Sequence, residues 1–215
     1  MLRLRDPRRA RQVLAHPRVL SLRLYAWAVL VLLAEFLPAG AWGEVPTGPA
    51  AREGELVTFS RPDLGFSVRY PTGWDVWVQG PSAWEARSLG WRISFVGRAV
   101  QPLTMEPFRP VLFVERFPRM GMLLEQYAAA HQEVARRDQA AHRAVAAGPV
   151  QGRGGERYLL EETYEFNGVP MRKQSLLVLD GDAVYHVTAV APAAAWEEDR
   201  RRFEMSLASF ALLPR

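Results

Sequence analysis

Residues 158–191 read YLLEETYEFNGVPMRKQSLLVLDGDAVYHVTAVA, and this stretch decides the fold. Its first segment, residues 158–166, alternates apolar and polar residues, which is the period of a half-buried β-strand. The dipeptide Asn167-Gly168, between the first two segments, is the preferred sequence for a two-residue hairpin turn. Asp180-Gly181 provides a second turn, and Pro192 ends the third segment. The stretch therefore predicts a three-stranded antiparallel meander, with strands at residues 158–166, 171–179 and 183–191.

The residues on either side of this meander predict more strands and two helices. Residues 66–70 and 74–78 alternate around the turn residues 71–73 and predict a hairpin. Residues 91–95 and 111–116 predict two further strands. A helix is predicted from Leu123 to Ala146, ended by Gly148-Pro149. A second helix is predicted from about Ala194, with acidic residues in its first turn. Together these elements predict one α+β domain, an antiparallel sheet of about seven strands flanked by helices.

The first 43 residues have the pattern of an export signal or a membrane anchor. Seven arginines precede an apolar run, residues 24–37, which is followed by small residues up to Gly43. The apolar stretch, taken as residues 24–42, predicts contact with the cytoplasmic membrane, and the pattern is compatible with either cleavage or retention. The arginines place the N-terminus in the cytoplasm and the rest of the chain outside it.

A flexible linker is predicted at residues 44–56, which are rich in Pro, Gly and Ala, and the domain at residues 57–215.

The net charge of the chain is +4, but seven arginines against Asp6 and Glu35 give residues 1–43 a charge of +5. The remainder thus carries −1, which argues against a nucleic-acid partner. The absence of cysteine excludes disulfides, thiolate metal sites and a cysteine nucleophile.

Two segments of the chain resemble a known family. The segment GFSVRYPTGW, residues 65–74, is similar to the opening hairpin of PsbP-like domains, the family of the extrinsic photosystem II protein and its bacterial relatives. The segment YHVTAVAP, residues 185–192, together with Trp196 and SLASF at residues 206–210, resembles their closing strand and helix. The resemblance implies an αβα sandwich without common catalytic residues. It also implies an extracytoplasmic scaffolding or assembly role, and calcium or manganese binding in some members. This chain departs from the many lipoprotein members because it has no cysteine to acylate.

Few residues are candidates for a ligand site. Asp138 and His142 lie four residues apart on the predicted helix and could share a metal, although a solvated helix face is the favoured interpretation. Asp180 and Asp182 could offer carboxylates to calcium, or simply form the hairpin turn. Trp84 is the best exposed aromatic candidate for partner binding.

Two further groups are interpreted as structural. Glu161, Glu162 and Glu165 are predicted to form a solvated strand face, since Glu161 and Glu165 are too far apart for paired acid–base work. His131 is predicted on the same solvated helix face as Asp138, and His186 as a strand residue that is either packed or exposed.

The sequence favours a non-catalytic interaction or assembly module that is exported or anchored outside the cytoplasmic membrane and binds an envelope protein or a membrane complex. The alternative is a protein that binds calcium, manganese or a small ligand, in a role like that of the photosystem II oxygen-evolving complex. A hydrolase is the third hypothesis, ranked last because no nucleophile motif and no phosphate loop is found. The sequence thus predicts no catalytic residue and no enzyme.

Overall fold

The computed structural model describes residues 55–79, 91–98, 108–152 and 154–214, which form ten strands and two helices. The strands are β1 Leu56–Arg61, β2 Phe66–Pro71, β3 Asp75–Gln79, β4 Arg92–Val96, β5 Val111–Pro118, β6 Ala140–Pro149, β7 Arg157–Phe166, β8 Val169–Asp180, β9 Ala183–Pro192 and β10 Ala211–Leu212. The helices are α1 Leu124–Asp138 and α2 Trp196–Ser209.

The strands form two antiparallel sheets. The larger has seven strands in the order β3-β4-β5-β9-β8-β7-β6, and the smaller has the order β1-β2-β10. The predicted meander is confirmed as β7-β8-β9 in the larger sheet. Its first turn has the geometry expected of Asn-Gly, because Asn167 and Gly168 both have positive φ angles, 50° and 78°. The predicted α+β class and the seven-stranded sheet are confirmed.

Each helix covers one face of the larger sheet. Successive residues of a strand point to opposite faces, so Tyr185 and Val187 lie beneath α2 while Val184 and His186 lie beneath α1. The α2 side is a large aromatic core, which includes Phe203 of α2 and residues of the smaller sheet. The α1 side is a smaller apolar cluster made of Leu124, Ala128, Leu160, Leu177 and Val184. The polar residues beside this smaller cluster form the candidate site.

The predicted hairpin between residues 66–70 and 74–78 is wrong. These residues form β2 and β3, which belong to different sheets. β2 pairs instead with β1, a strand that the sequence pattern does not predict, in a register that places Val68 opposite Phe59. β1 begins at Leu56, where the linker was expected to end. The sequence pattern detects that a segment is extended, but it carries no information on which strand will pair with it.

The predicted helix from Leu123 to Ala146 is also wrong in its second half. The helix ends at Asp138, Gln139 is extended, and residues 140–149 form β6, paired with β7 at the edge of the sheet. Alanine is the best helix former, so the alanine-rich segment favours a helix locally. Pairing with the free edge of β7 outweighs that preference, which amounts to less than about 1 kcal/mol per residue. Gly148-Pro149 therefore ends a strand and not a helix.

One loop approaches β8 so closely that it requires glycine. A Cβ atom on Gly155 would lie 2.4 Å from the carbonyl oxygen of Leu179, whereas a Cβ on Gly154 would meet nothing nearer than 3.9 Å. The approach is held by the Leu179 N–H, which donates to the carbonyl of Glu156 at 2.9 Å. Both glycines have positive φ angles, 72° for Gly154 and 86° for Gly155, so an alanine at either is strained.

We expect Gly154→Ala to lower the free energy of unfolding by about 1 kcal/mol through backbone strain alone. We expect Gly155→Ala to lose a further ~1–3 kcal/mol, because the methyl group must push β8 or the loop aside. Urea unfolding at neutral pH measures both losses. Equal losses would show that the loop moves freely and does not need the close approach.

Candidate functional site

The face of the sheet beneath α1 carries a row of ionisable side chains. Strand register brings them together, because Arg92, Glu115 and His186 are cross-strand neighbours on β4, β5 and β9. Glu162 of β7 lies opposite Lys173 of β8 in the same way. All five are buried: none has more than 9% of its surface exposed. Charged residues are rarely buried to this extent unless they are paired.

The four charged side chains form two ion pairs. Lys173 Nζ lies 2.8 Å from Glu162 Oε2, and Arg92 Nε lies 2.8 Å from Glu115 Oε1. The Arg92 guanidinium also stacks over the ring of Phe113, with its central carbon 4.5 Å from the ring centroid. Two cations therefore balance two carboxylates in a site that water does not reach freely. This balance is the condition for burying charges at a tolerable cost.

Three histidines and a tyrosine complete the group. His142 Nε2 donates to Glu162 Oε1 at 2.9 Å, so β6 is tied to β7 by a side-chain bond. His186 Nε2 is hydrogen-bonded to the hydroxyl of Tyr127 at 2.9 Å, and its ring centroid lies 5.1 Å from that of His131. Tyr127 and His131 are one turn apart on α1 and face the sheet together. We call this group the buried cluster, in which the two residues of α1 are half-buried. Its members are Arg92, Glu115, Tyr127, His131, His142, Glu162, Lys173 and His186.

Burial keeps two of the histidines neutral. It is the main cause that lowers the pKa of His131 to about 4, and the charge on Lys173 lowers it further. Burial lowers the pKa of His186 well below 6.5, helped by His131 and Lys173. Burial also raises the pKa of Tyr127, with a smaller contribution from Glu115. At neutral pH, His131 and His186 therefore add no charge to the balanced ion pairs.

The two carboxylates shift in opposite directions. Burial alone would raise the pKa of Glu162, but the Lys173 ammonium, His131 and the hydrogen bonds from Lys173 and His142 together hold it below its usual value. For Glu115, burial outweighs Arg92 and Lys173, so its pKa is raised. Opposed shifts of this kind occur in catalytic acid–base pairs, and structural ion-pair networks produce them too. Here the side chains are at most 10% exposed, so no substrate approaches either carboxylate as the chain is folded.

The residues that were proposed as metal ligands lie on different elements of the structure. Asp138 ends α1 and is paired with Arg137, with Arg137 Nε 2.9 Å from Asp138 Oδ1. His142 is on β6, not on the helix, and is bonded to Glu162. Asp180 and Asp182 flank Gly181 at the turn between β8 and β9. In the part of the chain that the structure describes, no three His, Asp or Glu side chains are grouped to hold a metal ion. A calcium or manganese site stays a prediction.

The structure also changes the interpretation of the residues taken as structural. Glu162 is not on a solvated strand face, because its side chain is fully buried, whereas Glu165 is exposed. His131 is not on a solvated helix face either, because its ring meets His186 beneath α1. His186 was predicted to be either packed or exposed, and the structure shows it packed, with 4% of its surface exposed. Trp84 and residues 1–54 lie outside the described residues.

The pairing of Glu162 with Lys173 has a signal in the sequence that the strand pattern alone does not use. An Asn167-Gly168 two-residue turn sets the register of the hairpin, and counting outward from it places Glu162 directly opposite Lys173. Lys173 is also the single lysine of the chain. The contribution of α1 has no such signal, because its packing against β9 joins elements distant in sequence. β6 has none either, because irregularities shift its register on β7.

A cleft of about 490 Å³ lies at the N-terminal end of α1, near the connection between β6 and β7. Its lining includes Leu123, which is 64% exposed, with Val150 and Tyr158. The buried cluster does not line it.

Neither of the described helices has the length and hydropathy of a membrane span.

The described elements form an α+β fold, a seven-stranded antiparallel sheet with one helix on each face, and this fold matches that of PsbP-like proteins. Its structure is similar to that of the cyanobacterial PsbP, CyanoP, from Synechocystis sp. PCC 6803, with a TM-score of 0.53 and 17% identity over 82% of this chain and 99% of that one. It is also similar to PA94 from Pseudomonas aeruginosa, a protein of unknown function, with a TM-score of 0.51 and 15% identity over 75% of this chain and 99% of that one. At these identities the likeness establishes the fold alone. No protein-family model matches the chain, and no curated protein is similar to it in sequence.

Proposed function

We propose that this protein is a non-catalytic, extracytoplasmic interaction module that binds an envelope protein or a membrane protein complex. One observation carries the non-catalytic part of the proposal. The ionisable groups that the fold assembles are enclosed beneath α1 and paired with one another, so they are not presented to a substrate. An active site with perturbed carboxylates would normally open into a cleft.

Two features support the extracytoplasmic location. Residues 1–43 have an arginine-rich start followed by an apolar run and small residues, which is the order of an export signal or anchor. The similarity in fold to a PsbP protein agrees with this interpretation, because the sequence resemblance to that family implies the same compartment. The net charge of −1 beyond residue 43 favours a protein partner over a nucleic acid.

In-cell photo-crosslinking tests the proposal. A photoreactive amino acid is placed at one of two exposed apolar positions, Leu123 (64% exposed), which precedes α1, or Met205 (44% exposed) in α2, in a C-terminally tagged chain. We expect irradiation to yield one dominant adduct with an envelope protein, identified by mass spectrometry. A matched chain that lacks residues 1–43 should lose this adduct, because it would remain in the cytoplasm.

Two results would contradict the proposal. One is the absence of a specific adduct from either position in the native host. The other is an adduct that persists, with the same partner, in the chain without residues 1–43. The same spectra show whether residues 1–43 are present in the mature protein.

A further inference from the structure

We propose that the buried cluster is an acid-sensitive latch: at acidic pH, protonation of His131 and His186 releases α1 from the sheet while the opposite face, beneath α2, stays packed. The latch is a property of the fold and does not depend on the proposed partner. A labelling result that contradicts the latch would leave the crosslinking result unaffected. A crosslinking result that contradicts the proposed function would likewise leave the latch unaffected.

The two helices are attached to the sheet by different means. α2 packs into the large core through Trp196, Phe203 and Leu207, whose exposed fractions are 1%, 0% and 4%. α1 places only Leu124 and Ala128 in a buried apolar cluster. Its remaining contacts with the sheet include Tyr127 and His131, both against His186. Contacts made by titratable side chains therefore form a substantial part of the packing of α1 on the sheet.

The charges that face these histidines are already matched. Arg92 from β4 is paired with Glu115 from β5, and Lys173 from β8 with Glu162 from β7. His142 from β6 occupies the second oxygen of Glu162. A proton on His131 or His186 therefore adds a positive charge near Lys173. The Glu162 carboxylate attracts a proton on His131, but burial and Lys173 outweigh it, and both oxygens of Glu162 are already bonded to Lys173 and His142. Buried charge without a partner is the most costly arrangement in a protein interior.

The direction of the pH dependence follows from the lowered pKa values. When α1 is attached, the pKa of His131 is about 4, and when the ring is exposed to water it returns to about 6.5. Between these values the open form binds more protons, so opening becomes more favourable as the pH falls. For His131 alone, the opening constant should rise roughly 30-fold between pH 7.5 and pH 5.0. Glu115 cannot produce this trend, because its raised pKa favours the attached form at lower pH.

Native-state thiol labelling measures this opening, because the chain contains no other cysteine. Ala128→Cys places a thiol on the buried side of α1, and Ser206→Cys places one on the buried side of α2 as the matched control; these positions are 1% and 0% exposed. Each full-length variant is labelled with 4,4′-dithiodipyridine at pH 7.5 and pH 5.0. Rates are divided by those of the denatured chain at the same pH, which removes the pH dependence of the reagent.

We expect protection of the Ala128→Cys thiol to fall at least tenfold at pH 5.0, and that of the Ser206→Cys thiol to change less than twofold. The latch is overturned if neither protection changes, or if both fall together, since the latter is global unfolding. Adding His131→Gln, which does not titrate, to Ala128→Cys should reduce the pH effect several-fold. An undiminished effect in that variant would overturn the assignment to His131. The Ala128→Cys measurement stands by itself if the double variant does not fold.

Discussion

Glu162→Gln is expected to lower the free energy of unfolding at pH 7.5 by about 3 kcal/mol, measured by urea unfolding. The carboxylate of Glu162 is fully buried and serves both Lys173, 2.8 Å away, and His142, 2.9 Å away. The amide is nearly the same size, so packing is preserved. The variant removes the charge that balances Lys173, and a buried ammonium is left without its partner.

The adjacent residue provides a matched control. Glu161 also forms an ion pair on β7, with Arg172, but its side chain points to the other face and is 19% exposed. We expect Glu161→Gln to cost less than about 1 kcal/mol, because water compensates for the lost partner. Equal losses for the two variants would show that the Glu162 pair is not held in a water-poor site.

A double variant separates the loss of charge balance from the loss of packing. Glu162→Gln combined with Lys173→Met removes both charges, keeps the volume nearly constant and leaves an amide oxygen to accept from His142 Nε2. It should recover most of the stability that Glu162→Gln loses, because no unpaired charge remains. A double variant that is less stable than Glu162→Gln would contradict this account and point to lost packing.

The pH dependence of Glu162→Gln has a defined sign. Glu162 has a lowered pKa in the folded chain, so its contribution is present above its ordinary value of 4.5 and is lost as the pH falls below it. The difference in stability between the natural chain and the variant should therefore shrink below about pH 4.5. A difference that stays constant with pH would show that the ionised form of Glu162 is not the stabilising one.

Phe66→Ala is expected to cost about 3–5 kcal/mol, the largest loss that we predict for a single core residue. Phe66 is fully buried, and its ring stacks on Trp91 at 5.6 Å and on Phe210 at 5.7 Å between centroids. Because Phe66 is on β2, it connects the small sheet to the core of the large one. Its removal leaves a cavity at the junction, which the strands on both sides resist closing.

Phe166→Ala is the matched control for this change. Phe166 ends β7 at the hairpin turn and is half-buried, with its ring 6.2 Å from that of Phe108. The same truncation there should cost less than half as much, because water already covers part of the ring and can fill the space. Urea midpoints of the two variants provide the comparison. Similar losses of unfolding free energy in the two variants would contradict the role of Phe66 in packing the smaller sheet against the larger one.

The meander was predictable from the sequence because its determinants are local. Residues 158–166 carry the period-two pattern, and Asn167-Gly168 has positive φ angles that few other dipeptides adopt. A two-residue turn also sets the register, so the pairing of Glu162 with Lys173 follows from the residues that lie between them. The second turn was predicted at Asp180-Gly181 and lies one residue further on, at Gly181-Asp182, because Asp180 pairs with Ala183.

The partner of β2 and the fate of residues 140–149 were not predictable in this way. The alternation of β2 shows that it is a strand, but it does not distinguish β1 from β3 as its neighbour. The alanine-rich segment of β6 prefers helix locally, and only the open edge of β7 makes it a strand. This one change moves His142 from a helix face to within 2.9 Å of Glu162.

The sequence by itself determined the α+β class, the central meander and its turns, because side-chain period and turn geometry act over a few residues. The tertiary structure alone decided the buried cluster. Its members come from six strands and one helix, and His131 and His186, which are 55 positions apart in the chain, meet only when α1 packs on the sheet. Their burial, and with it their lowered pKa values, is a property of that packing, since an isolated histidine of the same sequence would titrate near 6.5.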